Sequence, residues 1–310
     1  MSKIIVNDII KLGEKNMREN IEKEVIQKLQ NLSTDDIIKE YIIDYLYWIT
    51  KLDLLPENVN YHILLDRLVK YVDGIVIFDE EHEINNAFGH DFKGWTGSLK
   101  EGKKPSLYIR EKLGDKVELY FYHELTHLLQ KHDDNPEQTG LCTEHPVIGG
   151  DLYNEAIVQY IAEQVYNKKY NLTKEQKEYN SEELRMLPGL KIYSDLDNYQ
   201  HFDYLTTLIT KYLGVDKKYL SKIAFSGNIN TTDLIEKLFY DAGINDVNEL
   251  IMLLRKIQLI YIIDKKVYTK RFNQETINSE LERQLKFYQE LETLFKSKEK
   301  NITNSMGYSR

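Results

Sequence analysis

The residues best suited to catalysis stand together near the middle of the chain, where the sequence reads His123-Glu124-Leu125-Thr126-His127. Side chains four positions apart share a helix face, so His123 and His127 can direct two imidazoles at one point. Imidazole nitrogen suits zinc, and a catalytic zinc site keeps one position open for water. Glu124, beside this pair, can take a proton from that water and pass it to a leaving amine. The pattern indicates metal-assisted hydrolysis rather than two unrelated surface histidines.

A third protein ligand is needed, and Glu155 is the best candidate. It lies at the start of a second predicted helix, on the same face as Gln159, which could hydrogen-bond a ligand from one turn further on. The simpler explanation, that Glu155 only favours the positive end of the helix dipole, is the less favoured one. Asp151 could also be the ligand, but its position predicts the cap of that helix. The loop before it holds two further candidates, Glu144 and His145.

The histidine motif and the later Asn154-Glu155-Ala156 together resemble the zincin metallopeptidases of the gluzincin type, in which a glutamate on a later helix is the third ligand. The resemblance covers roughly residues 74–166. It implies hydrolysis of peptide bonds, with Glu124 as the general base and a peptide or protein as the substrate. It also implies one zinc ion per chain, bound by three residues: His123, His127 and Glu155.

The same resemblance implies an edge strand that aligns the peptide substrate. We expect this strand between residues 85 and 110, and most of all at residues 106–110. Other zinc schemes fit less well. Metzincins need a glycine where Gln130 stands and a histidine one position after His132, and deformylase-like enzymes use an upstream cysteine, whereas Cys142 lies downstream.

Amide hydrolysis also needs a hydrogen-bond donor for the negative charge that develops on the carbonyl oxygen. Gluzincins often supply this donor from a downstream tyrosine, histidine or arginine. We select His201 as the second catalytic residue, because a lone histidine in its stretch is the residue least needed for packing. The other candidates nearby are Tyr193, Tyr199 and Tyr204.

The elements that must position these residues follow from hydrophobic periodicity. Residues 74–78 are short, apolar and β-branched, and residues 106–110 alternate, so both predict strands. The stretch 85–105 between them is rich in glycine and predicts loops and turns. Residues 116–129 predict the helix that carries the histidines, and residues 153–166 predict the helix that follows Asp151.

Outside this core the periodicity is helical. Within the first part of the chain, one helix should start near Asp36 and another should cover residues 59–72. The predicted organisation is a helical lobe at residues 1–73, a zincin-like catalytic core at 74–170 and a second helical lobe at 171–310. The predicted fold class is α+β and mostly helical, with a small mixed sheet and an active-site helix flanked by the two lobes.

The composition of the chain limits the classes of partner that it is expected to bind. The 310-residue chain has a formal net charge of -9, which disfavours binding to a nucleic-acid phosphate backbone. Cys142 is the only cysteine, so no intrachain disulfide can form. No stretch predicts a signal peptide or a membrane span, and a cytoplasmic location is the expectation, with export by a route without a signal peptide left open. Composition does not determine the oligomeric state.

The sequence therefore predicts a zinc peptidase, and two other functions stay open. The chain could be a zinc-binding regulatory or interaction module without catalysis, which a fourth protein ligand such as His145 or Cys142 would favour. Glu124 argues against this alternative, because a purely structural zinc site needs no general base. The chain could also be a zinc hydrolase of a non-peptide amide.

Overall fold

A computed structural model describes residues 3–30, 32, 34–79, 81–84, 94–97, 104–111, 117–131, 140, 150–172, 210 and 215–226, and four isolated helical positions at 279, 282, 286 and 293. These residues belong to two compact units. The first comprises the described residues up to 131 together with 160–172 and 225–226, and the second comprises the remainder. The three lobes at 1–73, 74–170 and 171–310 stay a prediction.

The first unit begins with three helices, α1 (Lys3–Lys28), α2 (Asp36–Lys51) and α3 (Tyr61–Tyr71). The predicted start near Asp36 is confirmed, because the Asp35 carboxylate accepts a hydrogen bond of 2.9 Å from the Ile38 amide and caps α2. The Asn60 side chain caps α3 in the same way. The three helices pack on one another through apolar faces. The fully buried residues of these faces include Ile21, Val25, Ile42, Ile49, Leu64 and Leu65.

A three-stranded mixed sheet follows, formed by β1 (Gly74–Phe78), β2 (Gly94–Gly97) and β3 (Ser106–Arg110). The strand order is β1-β3-β2, with β3 parallel to β1 and antiparallel to β2. The strands predicted at 74–78 and 106–110, and the small mixed sheet, are confirmed.

Two predictions about this sheet are wrong. An edge strand was expected between residues 85 and 110, and most of all at 106–110. Among the described strands, however, β3 is central, and β2, which lies within the wider range, is at an edge. Four consecutive residues of β3, from Leu107 to Arg110, are buried, as expected for a strand enclosed on both sides. The stretch 85–105 was interpreted as loop and turn, yet it contains β2. Glycines begin and end this short strand, and glycine is normally a sign of a turn.

Three further helices complete the described fold: α4 (Val117–Leu129), α5 (Gly150–Lys169) and α6 (Lys217–Phe225). The helix predicted over 116–129 is confirmed as α4, which packs against β2 and β3 and against α2 and α3. The prediction that Asp151 caps the next helix is wrong, because α5 already begins at Gly150 and Asp151 lies within its first turn.

Taken over the described ranges, the chain is mostly helical with one small sheet, as the predicted α+β class requires. None of the helices in these ranges is both long enough and apolar enough to cross a membrane.

Candidate metal centre

Helix α4 is buried over most of its surface, which makes its polar residues informative. Phe121, Leu125 and Leu128 are completely buried, and His123, on the same helix, is only 3% exposed. A polar side chain in such surroundings costs free energy unless it has a partner. The burial of His123 therefore indicates that this imidazole has a specific role.

The two histidines of α4 converge as their spacing predicts. The Nε2 atoms of His123 and His127 are 3.1 Å apart, and their rings stand at 73° to each other. Two nitrogens bound to one tetrahedral zinc at the usual bond length lie about 3.3 Å apart. The observed separation therefore matches that of two ligands of a single ion.

A third ligand atom is close to this pair. One ligand atom from each of His123, His127 and Glu155 can be chosen so that all three lie within 4.8 Å of one another. This is the one such group of three or more ligand residues within the described ranges. The three residues that the sequence predicts as ligands are therefore brought together, and as a group they could hold a metal ion. Two imidazoles and a carboxylate form a donor set that suits zinc and leaves a coordination position open.

Another explanation of the histidine pair is a hydrogen bond between the two rings. One neutral imidazole can donate to the other at a distance of 3.1 Å. A hydrogen bond between the two rings accounts for the approach of the two histidines but not for that of Glu155. A shared cation explains the approach of all three groups, because a carboxylate is itself a zinc ligand.

Glu124 lies against the edge of the sheet. The Thr96 hydroxyl of β2 is 3.2 Å from Oε2 of Glu124 and 3.1 Å from its backbone carbonyl oxygen, so it can donate to either oxygen. Gly94, two residues earlier on β2, leaves room for the same side chain. A Cβ atom at Gly94 would lie 3.0 Å from Cγ of Glu124. The half-buried carboxylate is thus held against β2, on the residue that follows the metal-ligand candidate His123.

A chain of buried hydroxyls ties the middle of α4 to α2. The Thr126 hydroxyl donates to the Tyr122 carbonyl oxygen at 2.6 Å, so the Tyr45 hydroxyl must donate the 2.7 Å bond that joins it to Thr126. Burial raises the pKa of the Tyr45 phenol, which therefore keeps its proton. This contact fixes the helix at the residue before His127.

The carbonyl end of α4 has a cationic partner. The buried Arg67 guanidinium of α3 donates to the Leu129 carbonyl oxygen at 3.0 Å and to the Phe225 carbonyl oxygen at 3.2 Å. A cation at this end also interacts favourably with the helix dipole. The part of α4 that carries His127 is therefore anchored to other parts of the first unit at Thr126 and at Leu129.

The amino-terminal part of α4 carries a second, more deeply buried glutamate. Glu118 is 4% exposed and accepts hydrogen bonds from Lys169 Nζ at 2.6 Å and from the Tyr170 hydroxyl at 2.5 Å. The Tyr122 hydroxyl donates to it as well. Burial, and then the negative charge of Glu118, raises the pKa of Tyr122, so this phenol stays a donor.

Lys169 extends these contacts to a second carboxylate. Its Nζ lies 2.8 Å from Asp44, and Asp44 in turn binds Arg18 at 2.9 Å. Burial by itself lowers the pKa of Lys169, but hydrogen bonds with Asp44 and Glu118 outweigh this effect and raise it above its ordinary value. We call these contacts the Glu118 cluster; its members are Arg18, Asp44, Glu118, Tyr122, Lys169 and Tyr170. Sequence reasoning missed it, because its members come from four separate segments.

The other predicted site residues have different outcomes. His201, proposed as the oxyanion donor, lies outside the described residues, as do the alternatives Tyr193, Tyr199 and Tyr204. The alternative metal ligands Glu144 and His145 and the lone Cys142 also lie outside them. Gln159 is buried at 5% exposure, and its role in supporting a ligand stays a prediction.

Comparison of the chain with protein-family models, with curated proteins and with solved structures gives no significant match. The gluzincin resemblance therefore rests on the motif residues alone, and the functional argument rests on the geometry of α4 and its surroundings.

Proposed function

We propose that the protein is a zinc-dependent peptidase with a gluzincin-like catalytic core. The observation that carries this proposal is the pair of converging imidazoles on α4, together with the Thr96 contact to the carboxylate of Glu124, the residue that follows His123. A zinc-binding module without catalysis needs the imidazoles but has no use for that carboxylate. The contacts of Glu124 with the sheet therefore favour catalysis.

In this proposal, His123, His127 and Glu155 would hold a zinc ion, and the chemistry it would supply when bound is a lower pKa for a water molecule and polarisation of the substrate carbonyl. Glu124 accepts the proton of the attacking water and passes it to the leaving amine. His201 remains the proposed donor to the oxygen that becomes negatively charged. Arg67 and Tyr45 act indirectly, since they hold α4 in place.

The edge strand β2 supports a peptide as the substrate. Among the described strands it is hydrogen-bonded on one side, to β3, and it packs against the helix that carries Glu124. An extended peptide can add to such an edge through main-chain hydrogen bonds. This would bring the scissile bond of a peptide close to Glu124. A small non-peptide amide would gain nothing from a strand edge, and this favours the peptidase over the third alternative.

The first test is the metal content of the wild-type protein and of Glu155→Ala, both purified without added metal and measured by elemental analysis. We expect about one zinc per wild-type chain and a large loss in the variant, because removal of one of three protein ligands weakens the site. Glu111→Ala, which removes an exposed glutamate after β3, is the matched control and should keep its zinc. Full zinc retention in Glu155→Ala would move the third ligand to Asp151, Glu144 or His145.

The second test separates a peptidase from a zinc-binding module. The zinc-loaded protein is incubated with a fluorescence-quenched peptide library, beside an equally loaded Glu124→Gln variant. Cleavage by the wild type and none by the variant would support the peptidase. Cleavage by both would show that Glu124 is not the base. No cleavage by the wild type, together with bound zinc, would favour the module.

A further inference from the structure

The side chain of Glu124 is enclosed by two residues of β2 that no sequence motif singles out. On one side the Thr96 hydroxyl reaches Oε2 and the backbone oxygen of the same glutamate. On the other side Gly94 provides the space that the glutamate occupies. A Cβ atom at Gly94 would lie 3.0 Å from Cγ and 3.3 Å from Oε1 of Glu124, closer than side chains normally approach.

The sheet, and not only the two side chains, determines this arrangement. Residues two apart on a strand point to the same face, so Gly94 and Thr96 both face α4. Their register with β3 is defined by the pairs Gly94↔Ile109 and Thr96↔Leu107. The Ile109 Cδ1 atom would also lie 3.2 Å from a Cβ atom at Gly94, so Glu124 and Ile109 share the space that the glycine leaves.

Such an arrangement matters for a group that must transfer a proton. A glutamate has three rotatable bonds and loses free energy when its side chain is ordered. A general base is effective only when its carboxylate is within hydrogen-bond reach of the proton it removes. The β-branched threonine is itself stiff at χ1, so its hydroxyl is a defined donor rather than a mobile one.

We propose that Gly94 and Thr96 are positioning residues for Glu124: the glycine leaves the space for its side chain, and the threonine hydroxyl orients its carboxylate. The contact itself follows from the geometry, while its effect on turnover rests on the proposed peptidase function. Neither residue touches the substrate or the metal in this proposal. Both act through Glu124.

The activity test compares Thr96→Val with Thr96→Ser in the zinc-loaded protein. Valine keeps the shape but removes the hydroxyl, and we expect kcat to fall by about 10- to 100-fold with little change in KM, because a misplaced base is poorly used. Serine restores the hydroxyl and should recover most of kcat. Thr50→Val is the matched control, since it removes a half-buried threonine hydroxyl that binds the Leu46 carbonyl oxygen on α2. Equal kcat in Thr96→Val and wild type, or equal losses in valine and serine variants, would overturn the proposal.

The contact is also tested without activity, in the metal-free protein. A double-mutant cycle with Thr96→Val and Glu124→Ala measures how strongly the two side chains depend on each other in urea unfolding. We expect a coupling of about tenfold in the unfolding equilibrium constant, as for a hydrogen bond to a charged group. If the two substitutions are coupled in a protein that cleaves no peptide, the contact between Thr96 and Glu124 is supported although the proposed peptidase function fails. Additive effects of the two substitutions would overturn the proposal whatever the activity.

Gly94→Ala is a third test of how Glu124 is positioned. The added methyl group must displace Glu124 or Ile109 by a few tenths of an ångström. We expect a loss of kcat without loss of bound zinc, because the three atoms nearest to the added methyl group belong to Glu124 and Ile109 and not to the histidines. Wild-type kcat in Gly94→Ala would show that the space beside the glycine is not needed, and would overturn its part in the proposal.

Discussion

Helix α4 carries two glutamates in contrasting environments. Glu118 is almost completely buried and receives hydrogen bonds from an ammonium group and two phenols. Glu124 is half-buried, and the neutral hydroxyl of Thr96 is a donor within reach of its Oε2. Two glutamates on one helix therefore have different partners. Glu118 is paired with the Lys169 ammonium group, whereas Glu124 is contacted by the Thr96 hydroxyl.

This difference indicates what each glutamate does. A buried carboxylate that is paired with a cation contributes to stability, because its removal would leave buried donor groups without an acceptor. A carboxylate that transfers protons must be able to change its charge during each cycle, and a neutral donor permits this more easily than an adjacent ammonium group. The Glu118 cluster is therefore interpreted as structural, and Glu124 as functional.

The largest expected effect is on turnover. Glu124→Gln keeps the shape of the side chain but cannot accept a proton, so kcat should fall by about 10²- to 10⁴-fold or more. The urea midpoint should stay close to that of the wild type, because the amide oxygen of glutamine can still accept the hydrogen bond from Thr96. Peptide cleavage and urea unfolding of the same preparation check both statements. A large loss of stability would break the contrast between the two glutamates.

The next effect is on stability. Glu118→Ala should destabilise the protein by about 3–5 kcal/mol, because it leaves Lys169 and two phenols without their shared acceptor. Urea unfolding measures the loss, with Glu111→Ala as the exposed control. If Glu118→Ala unfolds at the same urea concentration as the control, the Glu118 cluster does not stabilise the fold. The contrast between a structural Glu118 and a functional Glu124 then fails.

A smaller effect is expected from the hydroxyl chain beside the histidines. Tyr45→Phe removes one hydrogen bond to Thr126 and leaves the bond from Thr126 to the Tyr122 carbonyl oxygen intact. The loss should be about 1 kcal/mol. Zinc content should be unchanged, which elemental analysis checks. A loss of zinc would mean that this hydroxyl chain, and not only helical spacing, determines the geometry of the histidine pair.

The smallest effect is a pH dependence within the Glu118 cluster. The hydrogen bond to Glu118, together with burial, raises the pKa of Tyr170 from 10.0 to about 12. A group with a raised folded-state pKa stabilises the protein fully below its unfolded pKa and loses that contribution as the pH rises through the folded value. Tyr170→Phe should therefore be less stable than the wild type below pH 10, and the difference should shrink toward pH 12. Unfolding of both proteins across this range measures it, and a pH-independent difference would contradict the assignment.

Much of the candidate site could be predicted from local patterns in the sequence. The four-residue spacing of His123 and His127 requires only a helix in order to align two imidazoles, and the helix is formed by neighbouring residues. The strands β1 and β3 and the start of α2 were also predicted from the sequence, since their signals lie within a few residues. Glu155 was selected from its place on a later helix, and the structure brings it close to the histidines.

Only the tertiary structure decided how the segments meet. A short strand between two glycines has no local signature, so the edge strand expected between residues 85 and 110 could not be assigned to β2, and residues 106–110 were favoured in its place. The partners of the two glutamates were equally hidden, because Thr96 and Lys169 reach α4 from distant parts of the chain. The residue types and helical spacing of α4 thus determine which groups can act. The non-local hydrogen bonds and packing determine that Glu118 is paired with a cation and that Glu124 contacts Thr96 at the edge of the sheet.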